Sequence, residues 1–214
     1  QATVQRDVIV DVPSTSQVHR QVVRKRAEAR EIHMDPSTRL YYVEVTEPDM
    51  HDPSGDLERL IKALRNDWDL PELEADLGVL RTLQPALRKG EWKVTCAVHL
   101  GDDTFSPRIM QVWPGYYDGA IYGLAVDLGS TTIAAHLCDL HTGEVIASSG
   151  IMNPQIRFGE DLMSRVSYGM MNAGGAEEMT LAVREGMNAL FVQIAAEAEI
   201  DRKLIVDVVF VCNP

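Results

Sequence analysis

Apolar positions recur at helical spacing in three segments of the chain. Residues 176–200 predict a long helix with acidic residues in its first turn. Residues 72–90 follow a helical pattern that Gly78 and Pro85 interrupt. Residues 56–68 predict an amphipathic helix behind an Asp cap, with apolar side chains at Leu57, Leu60, Ile61 and Leu64. The methionines of the helical segments are interpreted mainly as core residues, with a partner-facing patch as the alternative.

Other segments have the pattern of strands. Strands are predicted at 40–48, 91–101, 122–128, 132–140 and 144–150. Residues 204–214 form an apolar run rich in β-branched side chains, which predicts a buried strand of a parallel sheet. The sequence stops where that strand would deliver its loop, so we expect a truncated chain.

The short segment 114–120 divides the chain. It contains a proline, two glycines and two tyrosines, a composition typical of a domain boundary. We therefore predict a linker at 1–30, a small α/β domain at 31–116 and the beginning of a second domain at 121–214. The fold class is α/β.

Charge and cysteine content narrow the function. The net charge is −12 over 214 residues, and an acidic surface repels phosphate backbones, so nucleic acid is not expected as a partner. No apolar run reaches the roughly 20 residues that a membrane helix needs. The cysteines Cys96, Cys138 and Cys212 have no zinc or iron-sulfur spacing. We expect a cytoplasmic protein with reduced thiols.

The sequence 127-DLGSTT-132 combines an acid, a glycine and hydroxyls in the turn between two predicted strands. A glycine in such a turn lets backbone amides approach a phosphate, and the hydroxyls of Ser130, Thr131 and Thr132 add donors. Asp127 at the end of a strand is suited to holding hydrated Mg²⁺. A plain hairpin turn, in which Asp127 and Ser130 cap the backbone, is the alternative interpretation.

Longer segments carry a family resemblance. The motif 127-DLGSTT-132 resembles the first phosphate motif of the actin, sugar-kinase and heat-shock chaperone ATPases. The segments 122–137 and 153–168 resemble the ATPase domain of reductive activators of corrinoid proteins, and 56–64, 80–98 and 113–115 resemble the middle domain of that family. The resemblance implies that residues 31–116 are the middle domain, and that 121–214 begin an actin-like, ribonuclease H-like ATPase domain.

The resemblance also implies a function. Such an activator reduces the Co(II) of a corrinoid protein to Co(I), driven by ATP with Mg²⁺. The electron would come from a [2Fe-2S] domain, which is absent from this chain. Asp127, as metal ligand and catalytic residue, and Gly129, Ser130, Thr131 and Thr132 would hold the nucleotide. A corrinoid protein is the implied partner, and a homodimer is considered.

Two segments leave the site incomplete. In the family, the strand corresponding to 204–214 ends in the Gly-Asn turn of a second phosphate motif, whereas here Cys212 precedes Asn213 and Pro214 has no N–H. Asn213 remains a candidate for cofactor binding. At 153–165, Glu160 or Asp161 is a candidate for orienting water. The alternative is a capped helix start with Arg157 and Arg165 in surface ion pairs.

Two other functions remain open. One is a small-molecule kinase of the actin-like superfamily, against which the upstream domain argues. The other is a non-catalytic interaction module, which the incomplete second motif favours. Because part of the nucleotide site is expected to be missing, the chain alone should hydrolyse ATP poorly.

Overall fold

The computed structural model describes residues 34–101 and 106–212, so the predicted linker at 1–30 lies outside the described residues. Two four-stranded sheets organise the chain. The first part contains β1 (Thr38–Glu44), α1 (Asp56–Trp68), β2 (Glu74–Ala75), α2 (Leu77–Lys89), β3 (Lys93–His99) and β4 (Arg108–Pro114). The second contains β5 (Tyr122–Leu128), β6 (Thr132–Asp139), β7 (Val145–Met152), α3 (Leu162–Met171), α4 (Gly175–Glu197) and β8 (Ile205–Cys212). The α/β class predicted from the sequence is confirmed.

The first sheet has the strand order β1-β3-β4-β2. Its three long strands are antiparallel neighbours, and the short strand β2 lies parallel to β4. Helices α1 and α2 contribute buried leucines to the core on one face, among them Leu60, Leu64 and Leu87, which are fully buried. The central strand β3 is buried from Val94 to Val98.

The predicted helix at 56–68 is confirmed, but its cap differs from the prediction. Gly55 is the N-cap residue, and its amide donates to the Glu58 carboxylate at 3.0 Å. The predicted helix at 72–90 divides into β2 and α2, because Asp76 caps α2 by accepting from the Gly78 amide at 3.1 Å. Pro85 lies inside α2 without ending it.

The second sheet has the strand order β7-β6-β5-β8. Strands β5, β6 and β7 form the predicted antiparallel meander, and β8 is parallel to β5. Helix α4 lies over β6 and β7, where its Leu190 and Ile194 join Ile133 and Leu137 in a fully buried core.

Strand β8 is parallel, as predicted, but the prediction that it is buried is wrong. It forms an edge of the sheet, and α4 does not extend across it. Large apolar side chains therefore remain exposed along it, at 38% for Val208, 60% for Val209, 47% for Phe210 and 66% for Val211. The interpretation of the methionines as core residues is also wrong in α3, where the exposed ones are Met163, Met170 and Met171.

The two sheets meet near the segment that joins them. Ala97 of β3, Ile121 and Val206 of β8 form a small buried cluster between them. The Thr38 hydroxyl donates to the Asp207 carboxylate at 3.0 Å across this contact. Within the ranges 34–101 and 106–212, no helix combines the length and apolar character that crossing a membrane requires.

Candidate functional site

The turn between β5 and β6 lies at the carboxyl end of a parallel strand pair. Leu128 at the end of β5 is in register with Cys212 at the end of β8. The turn at 129–131 therefore emerges at the same edge of the sheet as the residue that follows β8. In open α/β sheets, ligands bind outside the carboxyl ends of parallel strands. Asn213, the other predicted contributor, lies outside the described residues.

Gly129 is required by the tightness of this turn. Its amide donates to the Thr132 carbonyl at 3.0 Å, so that donor is used inside the turn. A Cβ at this position would stand 2.7 Å from the same carbonyl oxygen, closer than a side chain tolerates. Gly129 therefore contributes space to the turn, while its amide closes the hairpin.

Asn153 holds the turn from the adjacent segment after β7. Its side-chain amide donates to the Gly129 carbonyl at 2.9 Å, and its backbone amide donates to the Thr131 carbonyl at 2.8 Å. Its side-chain oxygen accepts from the Gln155 amide at 2.9 Å and caps a short 3₁₀ helix, Pro154–Phe158. Asn153 is only 3% exposed. The family resemblance includes the segment around Asn153, but no role for Asn153 itself was predicted from the sequence.

These contacts orient the peptide groups of the turn. Peptide groups are planar and trans, so a carbonyl and the following N–H point in opposite directions; no described peptide bond is cis. Because Asn153 holds the Gly129 carbonyl, the Ser130 amide points away from Asn153. Neither that amide nor the Ser130 hydroxyl has a hydrogen-bond partner in the described part of the chain. Ser130 and Thr131 are both exposed, and Thr132 is half-buried.

Asp127 lies on the face of the second sheet that α4 does not cover. Val126 and Leu128 belong to the core with α4, and side chains alternate along a strand, so Asp127 is directed to the opposite face. Its side chain is partly exposed, and Asp127 is in register with Val211 of β8. A partly exposed carboxylate thus lies two residues before the turn.

The two acids at 160 and 161 have different positions. Asp161 is the N-cap of α3, and its carboxylate accepts from the Ser164 amide at 2.7 Å and the Ser164 hydroxyl at 2.9 Å. These hydrogen bonds lower the pKa of Asp161. The capped-helix interpretation is therefore confirmed for Asp161. Glu160 is exposed, and within the described residues no hydrogen bond or ion pair joins it to the turn.

Arg165 is buried, so its interpretation as a surface ion-pair residue is wrong. It is 5% exposed, and its Nε donates to the Gly159 carbonyl at 2.9 Å. A Cβ on Gly159 would come within 2.6 Å of the Ser164 Cβ. The segment from Asn153 to Arg165 therefore folds tightly on itself, with its first residue on the turn and its last inside the protein.

Cys96 and Cys138 lie apart from this site, whereas Cys212 is in register with Leu128 beside the turn. Cys96 is buried in the first sheet, and burial raises the pKa of its thiol, as it does less strongly for Cys138. Cys212 is exposed at the end of β8. In the ranges that the structure describes, no group of three His, Cys, Asp or Glu side chains is arranged to hold a metal ion.

Comparison with known proteins identifies the class to which this fold belongs. The model of the RACo linker region matches residues 27–119, and the model of the RACo middle region matches residues 122–214. A solved structure described as a reductive activator for corrinoid, iron-sulfur protein superposes with a TM-score of 0.68 and 31% sequence identity, over 86% of this chain. The chain belongs to the RACo family of corrinoid reductive activators.

A curated relative agrees with this assignment. The corrinoid activation enzyme RamQ of Eubacterium limosum is 31% identical over 93 residues, which are 44% of this chain. The chain spans 16% of the length of that relative and 29% of the solved structure. The family models change region between residues 119 and 122. They name the two regions linker and middle, whereas the resemblance seen in the sequence predicted a middle domain followed by an ATPase domain.

Proposed function

We propose that this chain is part of an ATP-dependent activator that reduces the cobalt of a corrinoid protein from Co(II) to Co(I). Family membership supports the activator class, and the names of both relatives refer to corrinoid activation. The partner is a corrinoid protein, and the electron comes from a [2Fe-2S] domain of the complete protein. Residues 121–214 contribute the first part of an actin-like ATPase domain.

The turn at 129–131 is the observation that carries the nucleotide proposal. A phosphate needs donors on an accessible surface, and carbonyl oxygens nearby would repel it. The carbonyls of Gly129 and Thr131 are occupied by Asn153, whereas Ser130 offers an amide and a hydroxyl that no described residue uses. This distribution of donors and acceptors fits the phosphates of ATP.

Asp127 fits a role toward Mg²⁺. The ion binds through oxygen ligands and keeps several waters, so one partly exposed carboxylate beside the phosphates is a suitable contact. Asp127 would hold the hydrated ion, and Ser130, Thr131 and Thr132 would hold phosphate oxygens. Gly129 has no side chain, which lets the backbone of the turn approach the phosphates closely. Asn213, which follows β8 in the sequence, remains a candidate for binding the nucleotide. Bound ATP supplies the free energy for a reduction that is uphill for cellular donors.

Coupling requires that the nucleotide favour one conformation over another, because a ligand with equal affinity for both shifts nothing. Closure of the site over the phosphates is the proposed change. Glu160, exposed before α3, is the candidate for orienting the attacking water when the site closes. A cytoplasmic location and a homodimer also remain proposals.

The test uses the complete protein and its Asp127→Ala variant. We expect the variant to bind ATP with Mg²⁺ about 10- to 100-fold more weakly, the range seen when a group that supports a bound metal is lost. Affinity is measured by calorimetry with and without Mg²⁺. Asp139→Ala is the control, since Asp139 accepts hydrogen bonds from His141 and Thr142 in the other turn of the meander. Equal affinities in unaltered protein and Asp127→Ala would remove Asp127 from the site.

Activity is tested separately. The complete protein is mixed with ATP, a low-potential reductant and a Co(II) corrinoid protein, and Co(I) formation is followed by absorption. ATP-dependent Co(I) formation supports the activator. Phosphorylation of a small molecule without cobalt reduction would favour the kinase, and absence of nucleotide binding would favour the interaction module. The 214-residue chain alone should hydrolyse ATP poorly, and brisk turnover would contradict that expectation.

A further inference from the structure

The geometry points to Asn153 as the residue that positions the proposed phosphate-binding turn. We infer that its side-chain amide holds the turn so that the Ser130 amide is available to the nucleotide. The inference rests on the proposed function, because it assigns a role within the same site. Asn153 does not itself touch the phosphates, and is a positioning residue.

The first observation is the completeness of the Asn153 contacts. Both hydrogen-bonding ends of its side chain are used, the amide nitrogen toward Gly129 and the oxygen toward Gln155. The residue is buried, so water does not substitute readily for a lost contact. The hydrogen bond to the Gly129 carbonyl is partly buried, so loss of its donor is costly, and this gives the carbonyl one preferred direction.

The second observation is the direction that this contact imposes. The Gly129–Ser130 peptide is planar, so holding the Gly129 carbonyl also sets the Ser130 N–H on the opposite side. The Asn153 backbone amide likewise holds the Thr131 carbonyl, and so sets the direction of the Thr132 N–H. Gly129 has no side chain to restrict rotation of its peptide, so the contact from Asn153 replaces the restriction that a Cβ would give.

The two functions of the Asn153 side chain, positioning the turn and capping the 3₁₀ helix, can be separated by one substitution. The Asn153 oxygen caps the 3₁₀ helix, and Asp caps as well as Asn does. Asn153→Asp therefore keeps the acceptor toward Gln155 and the backbone amide toward Thr131. It removes only the donor toward Gly129 and places a carboxylate oxygen against that carbonyl. The variant changes the turn while preserving the cap.

The experiment compares Asn153→Asp with unaltered complete protein by calorimetry, using ATP with Mg²⁺ and adenosine as two probes. We expect ATP affinity to fall about tenfold, the order expected when a partly buried carbonyl loses its donor. Adenosine affinity should stay within twofold, because the turn contacts only the phosphates. A general structural defect would weaken both probes together.

The matched control is Gln155→Ala. The Gln155 side chain donates to the Met179 carbonyl at 3.4 Å, so this variant disturbs the same 3₁₀ helix without removing a contact to the turn. It should retain ATP affinity within about twofold. Equal losses of ATP affinity in Asn153→Asp and Gln155→Ala would overturn the inference, because they would reflect the segment and not the turn.

A measurement on unaltered protein covers the case in which Asn153→Asp does not fold. Addition of ATP with Mg²⁺ should shift the amide resonance of Ser130 in nitrogen-proton correlation spectra. Gly129, whose amide is used inside the turn, should shift less. A Gly129 shift larger than that of Ser130 would overturn the assignment of the exposed donor.

The outcomes separate the inference from the proposed function. If unaltered protein binds no ATP, both are overturned. If it binds ATP and Asp127→Ala weakens binding, but Asn153→Asp binds like unaltered protein, only the role of Asn153 is overturned. A loss confined to ATP in Asn153→Asp supports both.

Discussion

The two sheets of this protein are covered to different extents. The first has helices on one face and contacts the second sheet from the other, so β3 is buried from Val94 to Val98. The second is covered by α4 over β6 and β7, but β8 at its edge is exposed from Val208 to Cys212. Both sheets have four strands, but among their inner strands only β3 is buried along most of its length.

The difference bears on where a ligand can bind. The first sheet uses its faces for packing and leaves little surface near its central strand. The second leaves the carboxyl ends of β5 and β8 open, with Asp127 and the 129–131 turn beside them. Proteins place binding groups on connections that a rigid scaffold positions, and here the meander is the scaffold.

The largest expected effect comes from the enclosed core of the first sheet. Leu64→Ala removes a fully buried side chain between α1 and β-sheet residues, and should lower the free energy of unfolding by about 2–5 kcal/mol. Urea unfolding of the 214-residue chain measures the change. Leu77→Ala is the control, because Leu77 is 62% exposed and should change stability by less than about 0.5 kcal/mol.

Similar losses for Leu64→Ala and Leu77→Ala would contradict the contrast between enclosed and open surfaces. A small effect for both would mean that the first sheet is less tightly packed than its buried residues indicate. Either result would require a different account of how the two sheets divide structure and binding.

The fold was predictable from the sequence where local pattern decides it. The spacing of Leu57, Leu60, Ile61 and Leu64 predicted α1 with its observed bounds, and alternation predicted β5 and β6 closely. The exposure of β8 was not predictable from the sequence, because the apolar pattern of the strand is the same whether or not another element covers it. Position in the sheet and the path of α4 determine its exposure.

The candidate site was predictable in part for the same reason. Asp127, Gly129 and the following hydroxyls are neighbours in sequence, so their chemistry is visible there. Asn153 is 24 residues away from Gly129, and its hydrogen bond exists only once β7 has paired with β6. An Asn-Pro pair signals a turn but does not reveal which carbonyl it will hold.

A middle-sized effect is expected at the open end of the second sheet. Gly129→Ala places a Cβ 2.7 Å from the Thr132 carbonyl oxygen, so the turn must shift, at a cost of about 1–3 kcal/mol in the free energy of unfolding. Urea unfolding measures the loss, and calorimetry on the complete protein should show weaker ATP binding. Gly78→Ala is the control, because its Cβ would meet nothing closer than 4.0 Å.

Opposite signs are expected for these two glycine substitutions. In α2, alanine favours the helix over glycine, so Gly78→Ala should stabilise the chain by up to about 1 kcal/mol. A stable Gly129→Ala variant with unchanged ATP affinity would show that the turn relaxes freely and that its geometry is not tied to the nucleotide.

The smallest effect is expected on β8, and a matched pair of substitutions defines it. Val211→Thr exchanges a methyl for a hydroxyl on a side chain that is 66% exposed, and should change the free energy of unfolding by less than about 0.5 kcal/mol. Val98→Thr makes the same exchange at the fully buried Val98 of β3, where an unpaired hydroxyl costs about 1–3 kcal/mol. Thr is favourable in strands, so backbone preference does not separate the two variants.

Urea unfolding at two protein concentrations measures both variants. A loss at Val211 as large as that at Val98 would mean that another surface covers β8 in solution, and dependence of that loss on protein concentration would identify the covering surface as a second copy of the chain.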